Sequence, residues 1–212
     1  MQLEGWTSPA GKRRVLTHLE PSERRRYARA VALAFPNPRI ASSVFGSPAR
    51  TMSLAAERRR WRSAVRARTA GARSVVVSDV AACYLSIGED AIRAAAARAG
   101  GDALPLLRQL RRYRESGGRG IPIGPVASGV VADAVLALAD ERAAAAGCTP
   151  VRWVDDVVFA GDRDAVARAS RAWRGALIEL GMREHDGKRT ADPIAVLGSL
   201  EAASDHGIMR GT

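Results

Sequence analysis

The chain has 212 residues, 47% apolar and 26% charged, a composition ordinary for a soluble globular protein of one medium domain or two small ones. It lacks both the apolar stretch of a signal peptide and the roughly eighteen continuous apolar residues of a membrane span, so a cytoplasmic protein is expected. Two cysteines, Cys83 and Cys148, are too few for a disulfide framework, while a formal net charge of +11 favours polyanionic partners, nucleic acid ahead of acidic membrane.

Pro21 to Phe35 reads as a helix: Pro and Ser open it, Glu23 lies in its first turn, and Pro36-Asn37-Pro38 stops it. The stretch on to Thr51 is rich in Pro, Ser and Gly and reads as loop. A second helix is predicted from Leu54 to Arg68, with Leu54, Trp61 and Val65 on one face and Arg58, Arg59, Arg62 and Arg66 largely elsewhere. Such a basic helix is either a solvated face or a nucleic-acid contact.

From Ser74 the run SVVVSDV is β-branched and ends on an acid, the pattern of a buried strand. Helices follow over Glu89 to Arg98 and Ala103 to Glu115, then a glycine-rich break over Ser116 to Gly120. After Ile121-Pro122-Ile123-Gly124-Pro125 a long helix runs from Ala127 to Ala146, ended by Gly147. VRWV and VVFAG form the arms of a hairpin around Asp155 and Asp156; beyond it come a helix over Arg163 to Leu180 and short strands near Arg183 to His185 and Ile194 to Gly198. This order predicts an α+β fold whose antiparallel sheet carries helices on one face.

Two adjacent carboxylates between apolar strands repel one another and are costly to desolvate unless a hard divalent cation compensates them. The alternative for Asp155 and Asp156 is a solvated turn. Asp79, at the end of a separate strand, favours the cation, because two-metal phosphoryl transfer draws its carboxylates from more than one segment.

Five segments in order resemble the motifs of the reverse transcriptase family: SDVAACYLSI, RGIPIGPVASGVVADAVL, RWVDDVV, LGMREHDGKRT and PIAVLGSLEAA. The resemblance implies a polymerase palm over residues 74–203, reduced helical fingers over 1–73, a short tail over 204–212 and no evident thumb. It implies an RNA-directed DNA polymerase-like nucleotidyltransferase adding deoxynucleotides to a primer 3′ end with Mg2+ or Mn2+. Asp79 and Asp155 would bind both ions with Asp156 beside them, and Lys188, one of two lysines in the chain, would sit near the leaving pyrophosphate as a cation and general acid. Tyr84 would lie under the incoming sugar, and the backbone of Val80, Ala81, Ala82 and Cys83 would meet the triphosphate. In the loop, Pro122 and Gly124 would face the nucleotide, and Ile123, Pro125 and Ser128 the template. Arg58, Arg59 and Arg62, with Arg39 and Arg50, are candidates for template or triphosphate contacts.

Many family members carry Gln where this chain has Ile123, and Tyr or Phe where it has Trp153. The Ile-Pro-Ile-Gly-Pro form instead resembles the bacterial abortive-infection and antiphage-defence branch, some of whose members work without a template or prime from protein. Template-independent or protein-primed DNA synthesis, or a palm that binds nucleic acid without catalysis, are therefore the alternatives. The expected partners are nucleic acid, a deoxynucleoside triphosphate and a protein or second copy supplying the missing thumb.

Overall fold

The computed structural model describes residues 2–7, 13–38, 41–48 and 52–185. Strands β1 (Gln2–Thr7) and β2 (Arg13–His18) pair as a separate antiparallel hairpin ahead of helix α1 (Pro21–Ala34). The N-terminal region, expected to hold two helices and a loop, thus also carries a β-hairpin ahead of them. A two-residue strand, β3 (Val44–Phe45), and helix α2 (Leu54–Thr69) lead into β4 (Ser74–Asp79). A one-turn helix α3 (Cys83–Ser86) precedes α4 (Glu89–Ala99), α5 (Leu104–Glu115) and α6 (Val126–Ala145). Strands β5 (Val151–Trp153) and β6 (Asp156–Gly161) and helix α7 (Arg163–Glu179) complete the described elements.

The six long helices end within a residue or two of their predicted bounds because each carries a local stop or start signal. Ser53 caps α2 by accepting from the Ala56 amide, and Asp162 caps α7 by accepting from Asp164 and Ala165. Gly100 closes α4 in the left-handed conformation.

The main sheet has the order β3-β5-β6-β4, in which β4 and β5 both run antiparallel to β6 and β3 runs parallel to β5. It is thus a mixed sheet rather than the purely antiparallel one predicted. Its helices also occupy both faces. On one face Val76, Val157 and Phe159 pack with α7 residues Val166, Trp173 and Leu177 and with α6 residues Val131, Val135 and Leu136. On the other, Val75, Val151, Trp153, Val158 and Ala160 pack with Trp61 and Val65 of α2. The near-continuous apolar runs of β4 and β6 have this cause: a strand buried on both sides does not alternate.

α6 lies centrally among the helices, with Val131, Val135, Ala139 and Ala143 wholly buried on one stripe. Its small alanines let α4 and α7 approach closely, and the alanine-rich faces of α4 and α1 continue the same core. At the other end of the first cluster, α1 and α5 pack through Tyr27, Val31, Leu106, Leu110 and Tyr113.

Candidate active site at the acidic hairpin

Register brings two of the three acids together. Asp79 ends β4 directly opposite Asp156, the first residue of β6, so both side chains leave the same face of the sheet. Asp155 lies in the two-residue turn between β5 and β6, and its carbonyl accepts from the Val80 amide at 3.3 Å, which ties the turn to the end of β4. Asp79 is 5% exposed and the hairpin acids are half-buried. Both Asp155 and Asp79 lie near the Cys83 thiol, whose pKa is raised first by burial and then by those carboxylates. Cys83 thus remains a neutral core residue, and Cys148 is buried too.

Among the described residues the only non-glycine positions with positive φ are Ala82 (φ +48°) and Val154 (φ +53°), one beside each acid-bearing segment. A β-branched residue in the left-handed region costs about 1–2 kcal/mol, so the Val154 turn is held by something. That something is Arg152: its Nη1 donates to the Val154 carbonyl at 2.6 Å and to Asp133 Oδ1 at 3.0 Å, while its Nε donates to Asp140 Oδ2 at 2.8 Å. A hydrogen bond from a charged donor contributes about 1.5–3 kcal/mol, enough to offset the backbone strain. Burial alone would lower the Arg152 pKa, but Asp140 and then Asp133 more than compensate, and it stays above its ordinary value. Trp173 Nε1 holds the other oxygen of Asp140 at 3.1 Å.

The chain following α7 returns along the end of β4. Glu184 bridges to Val80, the Ala81 amide donates to the Arg183 carbonyl, and the His185 amide donates to the Asp79 carbonyl at 2.8 Å. Glu184 is held in turn by Ser78 Oγ and by Arg174 Nε at 2.7 Å. The strand expected near Arg183 to His185 is this single bridge. Lys188, the strand expected over Ile194 to Gly198, the PIAVLGSLEAA segment, Arg39 and Arg50 lie outside the described residues.

Of the four amides proposed to meet a triphosphate, those of Val80 and Ala81 are taken by protein carbonyls, and Ala82 and Cys83 turn the chain into α3. Tyr84 packs against α6 near Gly129 and Pro48, and its hydroxyl pKa is raised by burial, then by Cys83, Asp133 and Asp155. Its carbonyl accepts from the Ile121 amide at 2.9 Å, and the Ile123 carbonyl accepts from the Thr17 amide of β2 at 2.7 Å, so the loop from Pro122 to Pro125 is held just before its start and at its middle. Gly124, at φ +121°, is exposed at the loop's crest, with Ile123 and Pro125 half-exposed and Pro122 buried. Ser128 corrects the sequence reading: it is 0% exposed and its hydroxyl pairs with Tyr27 Oη at 3.0 Å, a core contact with no nucleic-acid face.

Arg59 is exposed on α2, whereas Arg58 and Arg62 are half-buried. The Arg58 guanidinium lies 5.0 Å over the Trp153 ring and 5.5 Å over Trp61. Burial and then Arg62 lower the Arg58 pKa, while Asp156 raises it, which places Arg58 on the Asp156 side of the hairpin. Trp153 itself is 6% exposed, packed between Trp61 and Gly46.

Carboxylate oxygens are the donor type that a hard cation takes. Mg2+ is commonly held by one or two carboxylates completed by substrate phosphates, and Asp79, Asp155 and Asp156 supply oxygen donors at one strand end. Among the described residues, which include all three acids, no group of three or more His, Cys, Asp or Glu side chains is placed to hold a metal ion, so the three carboxylates do not converge as a ready-made three-ligand site. Sequence reasoning missed Arg152, Asp133 and Asp140; the signal was there, a charge inside an apolar strand and two acids two turns apart on an apolar helix. Neither a scan of protein-family models nor a comparison with curated protein sequences found a match to this chain.

Proposed function

We propose that the chain is a nucleotidyltransferase of reverse-transcriptase type, adding deoxynucleotides to a primer 3′ end with Mg2+ or Mn2+ at Asp79, Asp155 and Asp156. The observation that carries this reading is the meeting of Asp79 and Asp156 across two strands, with Asp155 beside them in a strained turn. A divalent cation bound there supplies charge for the primer hydroxyl as it ionises and for the departing pyrophosphate. The chain's own contribution is placement: Asp79 and Asp155 come from segments tied by the Val80 amide, so their spacing is fixed before substrate arrives.

Tyr84, packed against α6 near Gly129, is the group whose ring would bear on the incoming sugar. Arg58, on the Asp156 side of the site, and exposed Arg59 are the cations best placed for phosphate. The +11 charge supports a polyanionic substrate. No helix among the described residues is long and apolar enough to cross a membrane.

The test is extension of a labelled DNA primer by the full chain with each deoxynucleotide, in Mg2+ or Mn2+, with RNA, DNA or no template. Template-dependent product supports copying. Product without template replaces copying by untemplated synthesis, and no product under any condition removes the catalytic reading in favour of binding alone.

A further inference from the structure

We infer that Arg152 is a positioning residue for the acidic turn, transmitting the position of α6 to Asp155; this rests on the reading of that turn as a metal site. Arg152 is the centre of a three-residue strand and is 1% exposed, so protein groups must satisfy its guanidinium. Asp140 alone would supply the counter-charge, and Asp140 is itself oriented by Trp173. The arrangement goes further. Nη1 is shared between Asp133 and the carbonyl of Val154, the residue immediately before Asp155 and the one in the left-handed conformation.

The result is a chain of contacts from a rigid helix to the catalytic acid. Asp133 and Asp140 lie two turns apart on α6, fixing the guanidinium at two points, and the guanidinium fixes the turn carbonyl at a third. Asp133 also acts on Tyr84, so one α6 carboxylate borders both the hairpin and the proposed sugar site. Lysine keeps the charge but has a single nitrogen, which cannot span Asp140, Asp133 and the Val154 carbonyl with a planar fork.

The experiment titrates the full-length chain with Mn2+, following free Mn2+ by electron paramagnetic resonance, for wild type, Arg152→Lys, Asp133→Asn and Asp155→Asn, each with a thermal melt. Primer-extension kinetics give a second readout. Arg152→Lys is expected to melt cooperatively, to bind Mn2+ about 10- to 100-fold more weakly, and to lose kcat with little change in deoxynucleotide KM. Asp133→Asn, which leaves the Asp140 pair intact, should show a smaller loss of the same kind. Wild-type Mn2+ affinity and kcat in a folded Arg152→Lys would overturn the proposal; should that variant not fold, the same result in Asp133→Asn would do so. Failure of the underlying reading looks different: wild type would then bind no Mn2+, or Asp155→Asn would bind it equally well.

Discussion

Val154 and Ala82 are the residues where backbone preference and structure disagree, and they flank the acids. Ala82 is exposed, so little but its own strain opposes a change there. Ala82→Gly is expected to raise stability by about 0.5–1 kcal/mol, measured by urea denaturation, since glycine adopts φ +48° without a Cβ penalty. A loss of stability would mean that the turn is held by contacts of the Ala82 methyl instead. None of this strain is visible in the sequence, where neither Val nor Ala marks a left-handed position. Asp79, Asp155 and Asp156 stand out in the sequence because carboxylates ending apolar runs are conspicuous, and the strand register sets Asp79 opposite Asp156 with Asp155 in the adjoining turn. Ser128 was misjudged because a serine at a helix start has the same appearance whether it caps, binds or pairs inside the core with Tyr27.

At the scale of elements, the long helices were legible from periodicity and stop signals, but α2 was read without its partner. Of the face expected from Leu54, Trp61 and Val65, only Trp61 and Val65 are buried, while Leu54 at the helix start is 72% exposed; what the buried pair covers, the second side of the sheet, depends on the alternation of distant strands. Trp61→Ala should therefore cost about 3–5 kcal/mol, because it opens the second core beneath Trp153, and a cost under 1 kcal/mol in a chemical denaturation experiment would contradict that packing. Strand β3 escaped notice because two residues carry no period and its pairing comes wholly from β5. The loop after α5 makes a sharper case. A Cβ on Gly120 would lie 2.1 Å from the Tyr84 carbonyl, at φ +60°, so Gly120→Ala should destabilise by roughly 2–4 kcal/mol and weaken the clamp between loop and α3. Loss of deoxynucleotide affinity ahead of global unfolding in that variant would link the clamp to the proposed nucleotide site.

For the whole molecule, charge and buried acids set the response to solution conditions. With a net charge of +11, binding to single-stranded nucleic acid should weaken steeply between low and moderate salt, as measured by fluorescence anisotropy; a flat response would assign the charge to another purpose. Cys83, Tyr84 and Tyr27 all have pKa values raised chiefly by burial, from ordinary values of 9.0 for the thiol and 10.0 for the phenols. The native state holds these protons after the unfolded chain has released them. Stability is thus fully present below about pH 9 and falls as pH rises beyond it, by up to about 1.4 kcal/mol per pH unit for each group. A stability constant to pH 11 would show that these groups ionise in place. The class of fold followed from the order of elements, whereas the second hairpin and the two-sided sheet emerge only when distant segments are assembled.

Single-turnover primer extension by the wild-type chain, Asp155→Asn and Asp79→Asn is the measurement on which the proposed role of Asp79, Asp155 and Asp156 in holding divalent cations for nucleotidyl transfer depends. Metal-dependent product is expected from the wild-type chain, with a rate lower by on the order of a thousandfold in both variants and melting temperatures near wild type. Undiminished extension by a folded Asp155→Asn protein would contradict that role.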